Sequence, residues 1–190
     1  MNLLDVISLW EGRYINLFKL KLLNRKGNPK DYFIISRRKK KDLICLTKNY
    51  DVCDGVIVIP ITSDNEVVLV KQYRPSINDY IYELPSGMVD KGEDFESAAK
   101  RELFEETGLK CKSLNVILKP SFSSVGICDE TTAVVKIDVE GEITNEHIEA
   151  DEELEVLKVP ISEAKEFVLS HRFSIKGALI LLAIEEFLNF

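Results

Sequence analysis

Apolar and polar positions alternate, cluster and change period along this chain in ways that predict its elements. Gly55–Ile61 contains no polar side chain and is rich in β-branched residues, so it predicts a buried strand. Thr62-Ser63-Asp64-Asn65 then predicts a turn, and residues 66–72 the returning strand of a hairpin. Upstream, residues 12–23 and 31–36 predict a strand pair around the turn cluster Asn24-Arg25-Lys26-Gly27-Asn28-Pro29, and residues 43–46 a further strand. These elements together predict a small antiparallel lobe over residues 1–50, ahead of a main domain over 51–190. The period changes at residues 94–107, where Asp94 is an acceptable N-cap, alanines and glutamates follow, and Gly108 stands where a helix ends. Strands are expected at 115–118, 131–139 and 154–159. A final helix is expected over 173–187, with Ile175, Leu179, Leu182, Ala183 and Phe187 on one apolar face. Strands interleaved with two or three helices give an α/β fold, a sandwich with a mixed sheet.

Composition narrows the function without naming it. The 190 residues are 45% hydrophobic and 30% charged, as expected of a folded globular protein. No stretch of 18 apolar residues occurs, so no membrane span is expected. An early acid and no basic stretch at the start argue against a secretory signal, and a cytoplasmic location is the expectation. Cys45, Cys53, Cys111 and Cys128 form no C-x-x-C pair and read as reduced thiols; neither His147 nor His171 has ligand spacing to them. The net charge of −7 argues against nucleic acid as a partner. The basic run Arg37-Arg38-Lys39-Lys40-Lys41 goes against that balance and reads as a solvated turn, with an anion-binding edge as the lesser alternative.

The segment from Gly87 to Leu109 carries the chemistry. On a helix, Glu102, Glu105 and Glu106 share one face. A solvated acidic face is the ordinary explanation of such a cluster. Two features weigh against it: no Glu–Lys ladder at i,i+4 balances the charges, and the glycine-bearing stretch Ser86-Gly87-Met88 can bring backbone carbonyls to the same place. A hard divalent cation prefers such oxygen ligands and relieves the repulsion.

The spacing Gly87, Glu93, Arg101-Glu102-Leu103, Glu105-Glu106, Gly108-Leu109 fills every fixed position of the pattern known as the Nudix box, and the chain resembles the Nudix hydrolases through it. The resemblance implies a loop–helix–loop on an α/β/α sandwich. It implies Mg²⁺ (or Mn²⁺) held by Glu102, Glu105, Glu106 and the Ser86 carbonyl, with Glu93 and Arg101 as the ion pair bracing the loop. Beyond the box, Lys71-Gln72-Tyr73-Arg74, Tyr82-Glu83-Leu84-Pro85-Ser86-Gly87, Glu11-Gly12-Arg13-Tyr14 and Gly126-Ile127-Cys128-Asp129-Glu130 are similar to segments of the ADP-ribose pyrophosphatase branch. That likeness implies hydrolysis of a small nucleoside diphosphate derivative, ADP-ribose first, to AMP and a sugar phosphate. It also implies a homodimer that uses the amino-terminal lobe, and substrate contacts from Arg74, Glu83 and Gly126. One departure leaves a nucleotide sugar open: the run Ser123-Ser124-Val125-Gly126 lacks the proline usual in the branch.

Cleavage of a pyrophosphate bond requires charge neutralisation and a positioned water more than covalent chemistry. With the helix glutamates serving as ligands, a general base is expected from Glu149-Ala150-Asp151-Glu152-Glu153, by resemblance Glu152 first, although a solvated acidic loop explains any single residue there equally well. Arg74 fits phosphate oxygens bidentately, with a surface ion pair as its plain alternative. Trp10, Tyr14 and Phe18 fall on one face of a continuous strand, an aromatic stripe suited to a dimer contact. A non-catalytic nucleotide-sugar sensor would be expected to show a degraded box or a DNA-binding segment, and a triphosphate-cleaning enzyme to lack the amino-terminal strands.

Overall fold

A computed structural model of the chain describes residues 1–148 and 153–188. The chain folds as two compact units, Met1–Cys53 with Pro120–Thr132, and Asp54–Lys119 with Ala133–Phe190.

In the first unit, β1 (Asn2–Glu11), β2 (Asn16–Leu23) and β3 (Pro29–Ser36) form an antiparallel sheet in that order. Val6, Phe18, Leu20, Ile34 and Leu43 make its core. The expected pairing of 12–23 with 31–36 is found between β2 and β3, from Asn16 opposite Ser36 to Leu23 opposite Pro29. The structure adds β1 and interrupts the expected long strand. The Gly12 N–H donates to the Ile15 carbonyl at 3.0 Å, closing a turn, and a Cβ on Gly12 would overlap the Trp10 ring. Trp10 therefore belongs to β1, Tyr14 to the turn and Phe18 to β2, and the single aromatic stripe does not exist. Phe18 is fully buried, while Trp10 is 56% exposed.

Residues 43–46 are not a strand. The helical turn α1 (Ile44–Thr47) replaces it, because the Leu43 carbonyl accepts from Leu46 and Thr47 and a carboxylate distant in sequence, Asp129, accepts the Ile44 N–H at 3.1 Å. The basic run is only partly solvated. Arg38 is half-buried, its side chain 8% exposed, and donates to the Asp129 carbonyl and carboxylate at 3.0 and 3.4 Å, and Arg37 pairs with Glu130 at 3.0 Å.

The second unit is built on β4 (Gly55–Ile61), β5 (Glu66–Arg74), β6 (Asp79–Glu83), β7 (Ser86–Met88), α2 (Phe95–Thr107), β8 (Lys110–Phe122), β9 (Thr131–Glu140) and β10 (Leu154–Pro160), followed by α3 (Ile161–Ser170), α4 (Ile175–Leu182) and α5 (Ile184–Phe187). Strands β8 and β9 contribute residues to both units. The sheet runs β10-β5-β4-β9-β8, with β6 beside β5 and β7 beside β4. The fold class is α/β with a mixed sheet, as expected.

Every residue of β4 is buried. Ile57, Ile59 and Ile61 pack with Val67 and Leu69 and with Ile161, Ala164, Val168, Leu181 and Ile184 of the carboxy-terminal helices. Alternation puts Val56 and Val58 on the opposite face, and α2 packs against β4 and β7. Coverage of both faces explains why β4 has no polar position. Each such side chain contributes about 1.5–3 kcal/mol when taken from water.

The final helix differs from its expectation. It breaks at Ala183 into α4 and α5, and α3 precedes it unforeseen. Its inward face is Gly177, Leu181 and Ile184, whereas Ile175 and Leu179 are 75% and 61% exposed. Seven consecutive apolar residues from Ala178 to Ile184 leave periodicity unable to choose a face. Among the described residues no helix is long and apolar enough to cross a membrane.

Candidate active site

Helix α2 forms where its sequence says it should. The Asp94 carboxylate accepts the N–H groups of Glu96 and Ser97 at 3.0 and 2.8 Å. The Ser97 N–H and hydroxyl, with the Glu96 N–H, hold that carboxyl below its ordinary pKa. Gly108 ends the helix at φ 75, its N–H donating to Phe104, and a Cβ there would overlap the Thr144 methyl. Ala98, Ala99 and Leu103 are buried and fix the helix's rotation.

Arg101 is the hub of the exposed side. Its guanidinium donates to both Glu93 oxygens at 3.2 and 2.9 Å, to Glu102 at 2.8 Å, to Glu105 at 3.0 Å and to the Met88 carbonyl at 2.8 Å. Its pKa is raised, first by Glu93 and then by Glu102 and Glu105, and the guanidinium in turn holds Glu93 below its ordinary value. In place of a Glu–Lys ladder, Arg101 and Glu105 form an i,i+4 ion pair on the helix.

The glycine stretch meets the same side chains from the sheet. β7 pairs with β4, with Gly87 opposite Val56 and Ser86 opposite Ile57. A Cβ on Gly87 would overlap the Glu102 carboxylate, so only glycine admits Glu102 at this place. The Ser86 N–H donates to Glu106 at 3.2 Å. Glu106 is 2% exposed, so the carboxylate face is not solvent-lined throughout: it runs from half-exposed Glu105 into the interior. Ser86, Gly87, Glu93, Arg101, Glu102, Glu105 and Glu106 thus converge. All the side-chain acceptors are carboxylate oxygens, the donor set a hard divalent cation takes. Among the described residues, no three acidic, histidine or cysteine side chains already converge on one metal point.

The remaining expected site residues divide. Arg74 and Glu83 join across the β5–β6 hairpin at 2.5 Å, Glu83 being the more buried partner, so Arg74 is engaged in the plain ion pair. Gly126 lies in the first unit, where its carbonyl accepts the Tyr32 hydroxyl. Glu149, Asp151 and Glu152 lie outside the described residues.

Residues flanking that segment are described and were not foreseen. The His147 ring stacks on Phe104 of α2 at 4.4 Å between centroids, and Glu153 accepts the Tyr80 hydroxyl. Tyr80 is raised above its ordinary pKa, first by that bond. The available signal was a histidine two residues before the acidic run, with an aromatic residue among the helix glutamates.

Comparison with known proteins follows the same segments. The NUDIX domain model matches residues 52–176. A methanol dehydrogenase activator of Bacillus methanolicus is 33% identical over 123 residues, covering 62% of this chain and 64% of the relative. An ADP-ribose pyrophosphatase of Bacillus subtilis is 36% identical over 118 residues, covering 61% of this chain and 63% of the relative. The matched region thus spans just under two thirds of these curated relatives. A crystal structure of an ADP compounds hydrolase superposes with a TM-score of 0.79 at 20% identity, covering 99% of this chain and 94% of that one, which shows a shared fold. With the family model matching well over half of its length, and its fixed residues brought together on α2 and β7, this chain belongs to the Nudix family.

Proposed function

We propose that the chain hydrolyses the pyrophosphate bond of a nucleoside diphosphate derivative, ADP-ribose first and a nucleotide sugar as the alternative, giving AMP and a sugar phosphate. One observation carries the proposal: Gly87, by having no side chain, makes room for the Glu102 carboxylate, Arg101 bridges Glu102 to Glu105, and the Ser86 N–H beside that glycine donates to Glu106. The name of the Bacillus subtilis relative supports ADP-ribose as the first substrate to try.

The donor set suits Mg²⁺ or Mn²⁺. Glu102, Glu105 and Glu106 would hold the ion, with the Ser86 carbonyl. Bound there, it would supply charge neutralisation at the phosphate oxygens and orientation of substrate and water. One nitrogen of Arg101, Nη1, donates to both Glu102 and Glu105 and so bridges them, while Glu93 and the Met88 carbonyl hold Arg101, so the carboxylates keep their places without a cation. The Ser86 N–H fixes Glu106 in the same way. Arg74 would turn from Glu83, which it meets through one Nε–Oε2 bond, to a phosphate that can accept from the guanidinium bidentately. Glu152 would take the proton of the attacking water, a role suited to a loop carboxylate that is not a metal ligand. Gly126 would line the substrate side. The amino-terminal residues 1–50 would serve dimerisation, and 51–190 the reaction.

A panel of ADP-ribose, nucleotide sugars and dinucleotides, each with Mg²⁺ and with EDTA, tests this proposal. Release of AMP from ADP-ribose only with the metal is the expected result. Turnover in EDTA, or no turnover of any diphosphate, overturns it.

A further inference from the structure

Beside Arg74 the fold brings a second arginine that no local pattern singled out. Ile57, Ile59 and Ile61 of β4 pack with Val67 and Leu69 of β5 against the carboxy-terminal helices. Alternation therefore turns Val70, Gln72 and Arg74 to the other side of the sheet, the side on which α2 packs against β4. Strand β6 is in register with β5: Arg74 stands opposite Asp79, and Val70 opposite Glu83. Asp79 and Glu83 therefore share the side of Arg74.

The link between α3 and α4 lies along the edge of β6 away from β5. The Tyr82 N–H donates to the Arg172 carbonyl at 2.9 Å, and the Ser174 N–H to the Tyr82 carbonyl at 3.3 Å. Phe173 forms a parallel bridge with Tyr82, and the two rings stack with centroids 5.6 Å apart. Tyr82 is two residues from core Leu84, so both rings lie on the side of the carboxy-terminal helices. Arg172, next to Phe173, turns to the opposite side, where its Nη1 donates to Asp79.

The α2 side of the hairpin thus carries two arginine–carboxylate pairs, Arg74 with Glu83 and Arg172 with Asp79. The root of Arg172 is fixed by main-chain bonds, whereas its side chain is 77% exposed and that of Asp79 48%. An ion pair so exposed is weak, and a stronger acceptor can take the guanidinium from Asp79. Phosphate is such an acceptor, since its oxygens match the guanidinium fork. A diphosphate offers two phosphates, one for each arginine.

We propose that Arg172 is a second substrate-binding residue, gripping the diphosphate beside Arg74, and that Asp79 holds its guanidinium until substrate arrives. This rests on the reading of the chain as a diphosphate hydrolase.

The experiment uses the full-length protein with Mg²⁺. The probes are ADP-ribose and a nonhydrolysable ADP-ribose in which CH₂ replaces the bridging oxygen of the diphosphate. Arg172→Gln, Arg172→Lys and Asp79→Asn are compared in KM, kcat, affinity for the analogue and thermal midpoint. Arg172→Gln should raise KM and weaken the analogue about tenfold, as when a hydrogen bond to a charged group is lost, with kcat changed less than about twofold. Arg172→Lys should recover part of the loss, since it keeps the charge without the fork. Asp79→Asn separates binding from structure. An ion pair that merely braced the link would suffer alike from either side, and both variants would raise KM together with a loss of thermal midpoint. If Arg172 serves the substrate, Asp79→Asn releases it, and KM should fall. Unchanged analogue affinity in Arg172→Gln overturns the proposal, as does an equal rise of KM in Asp79→Asn. If the wild type cleaves ADP-ribose and Arg172→Gln binds and cleaves as well, the role of Arg172 alone falls. If the wild type binds the analogue through Arg172 yet cleaves no diphosphate, the hydrolysis reading fails and the binding role stands. A wild type that neither binds the analogue nor cleaves ADP-ribose overturns both.

Discussion

At Gly87 the chain makes room for a carboxylate, and the loss of that room has a definite consequence. A methyl group at this position would overlap Glu102, and moving Glu102 would break its bond to Arg101. Gly87→Ala should lower kcat/KM by about a hundredfold, the scale of a misplaced reacting group, and steady-state kinetics with ADP-ribose checks it; near-normal turnover would mean that Glu102 is not needed where it stands. Glu106 makes a different case, since it is 2% exposed and accepts the Ser86 N–H. Glu106→Gln keeps an acceptor oxygen for that N–H, so the fold should survive while the negative charge is lost. We expect hydrolysis to fall by about a hundredfold or more, as when a charge-stabilising group is removed, with circular dichroism and thermal midpoint close to wild type. A variant that turns over normally would remove Glu106 from the site. The three glutamates were legible in the sequence because their spacing alone puts them on one helical face. The burial of Glu106 and the fan of bonds from Arg101 were not. The Ser86 N–H on Glu106 and the Met88 carbonyl on Arg101 depend on β7, which is seated on β4 in a pairing that no local pattern encodes.

Helix α2 was legible for the opposite reason, since its limits are set by neighbours in sequence. Gly108→Ala would force a side chain into the left-handed region, at a cost of about 1–2 kcal/mol, and against the Thr144 methyl besides. Urea unfolding should show a loss at least that large, and an unchanged midpoint would contradict the cap. The helix start makes a prediction in pH. Glu93 and Asp94 both have pKa values lowered in the folded state, Glu93 chiefly by Arg101 and Asp94 chiefly by the Ser97 N–H. Their contribution is therefore present above the ordinary carboxylate pKa and is lost as pH falls through the lowered folded values. Melting temperature should decline below about pH 4, and Asp94→Asn, which caps without titrating, should decline less steeply. A steeper decline in that variant would refute the assignment. The elements that sequence reasoning placed wrongly have distant causes. The turn α1 depends on Asp129, and α4 is rotated by packing into the core beside α3 and β6 rather than by its own pattern.

At the scale of the molecule, the segment Pro120–Thr132, with Gly126 in it, returns to the first unit. Its return covers one edge of the three-stranded sheet: the Ile35 N–H donates to the Ile127 carbonyl at 2.9 Å. The other edge, β1, has β2 as its only strand partner among the described residues. Strand β1 shows Leu4, Leu9 and Trp10 to solvent. Its register shifts, between Leu3 and Asp5 and between Ser8 and Trp10, interrupt the ladder, so addition of another strand is poorly supported there. Exposed apolar side chains along an edge that resists strand addition suit face-to-face packing with a second copy. The expectation of a dimer therefore outlives the aromatic stripe that first motivated it, with Leu4 and Leu9 taking the places of Tyr14 and Phe18. Sedimentation at micromolar concentration should give twice the chain mass of 21.6 kDa. Leu9→Lys with Trp10→Glu should give the single mass while the circular dichroism spectrum is kept, because neither residue belongs to the buried core of that unit. A wild type that sediments as a monomer, or a double variant that still sediments as a dimer, would place the contact elsewhere or abolish it.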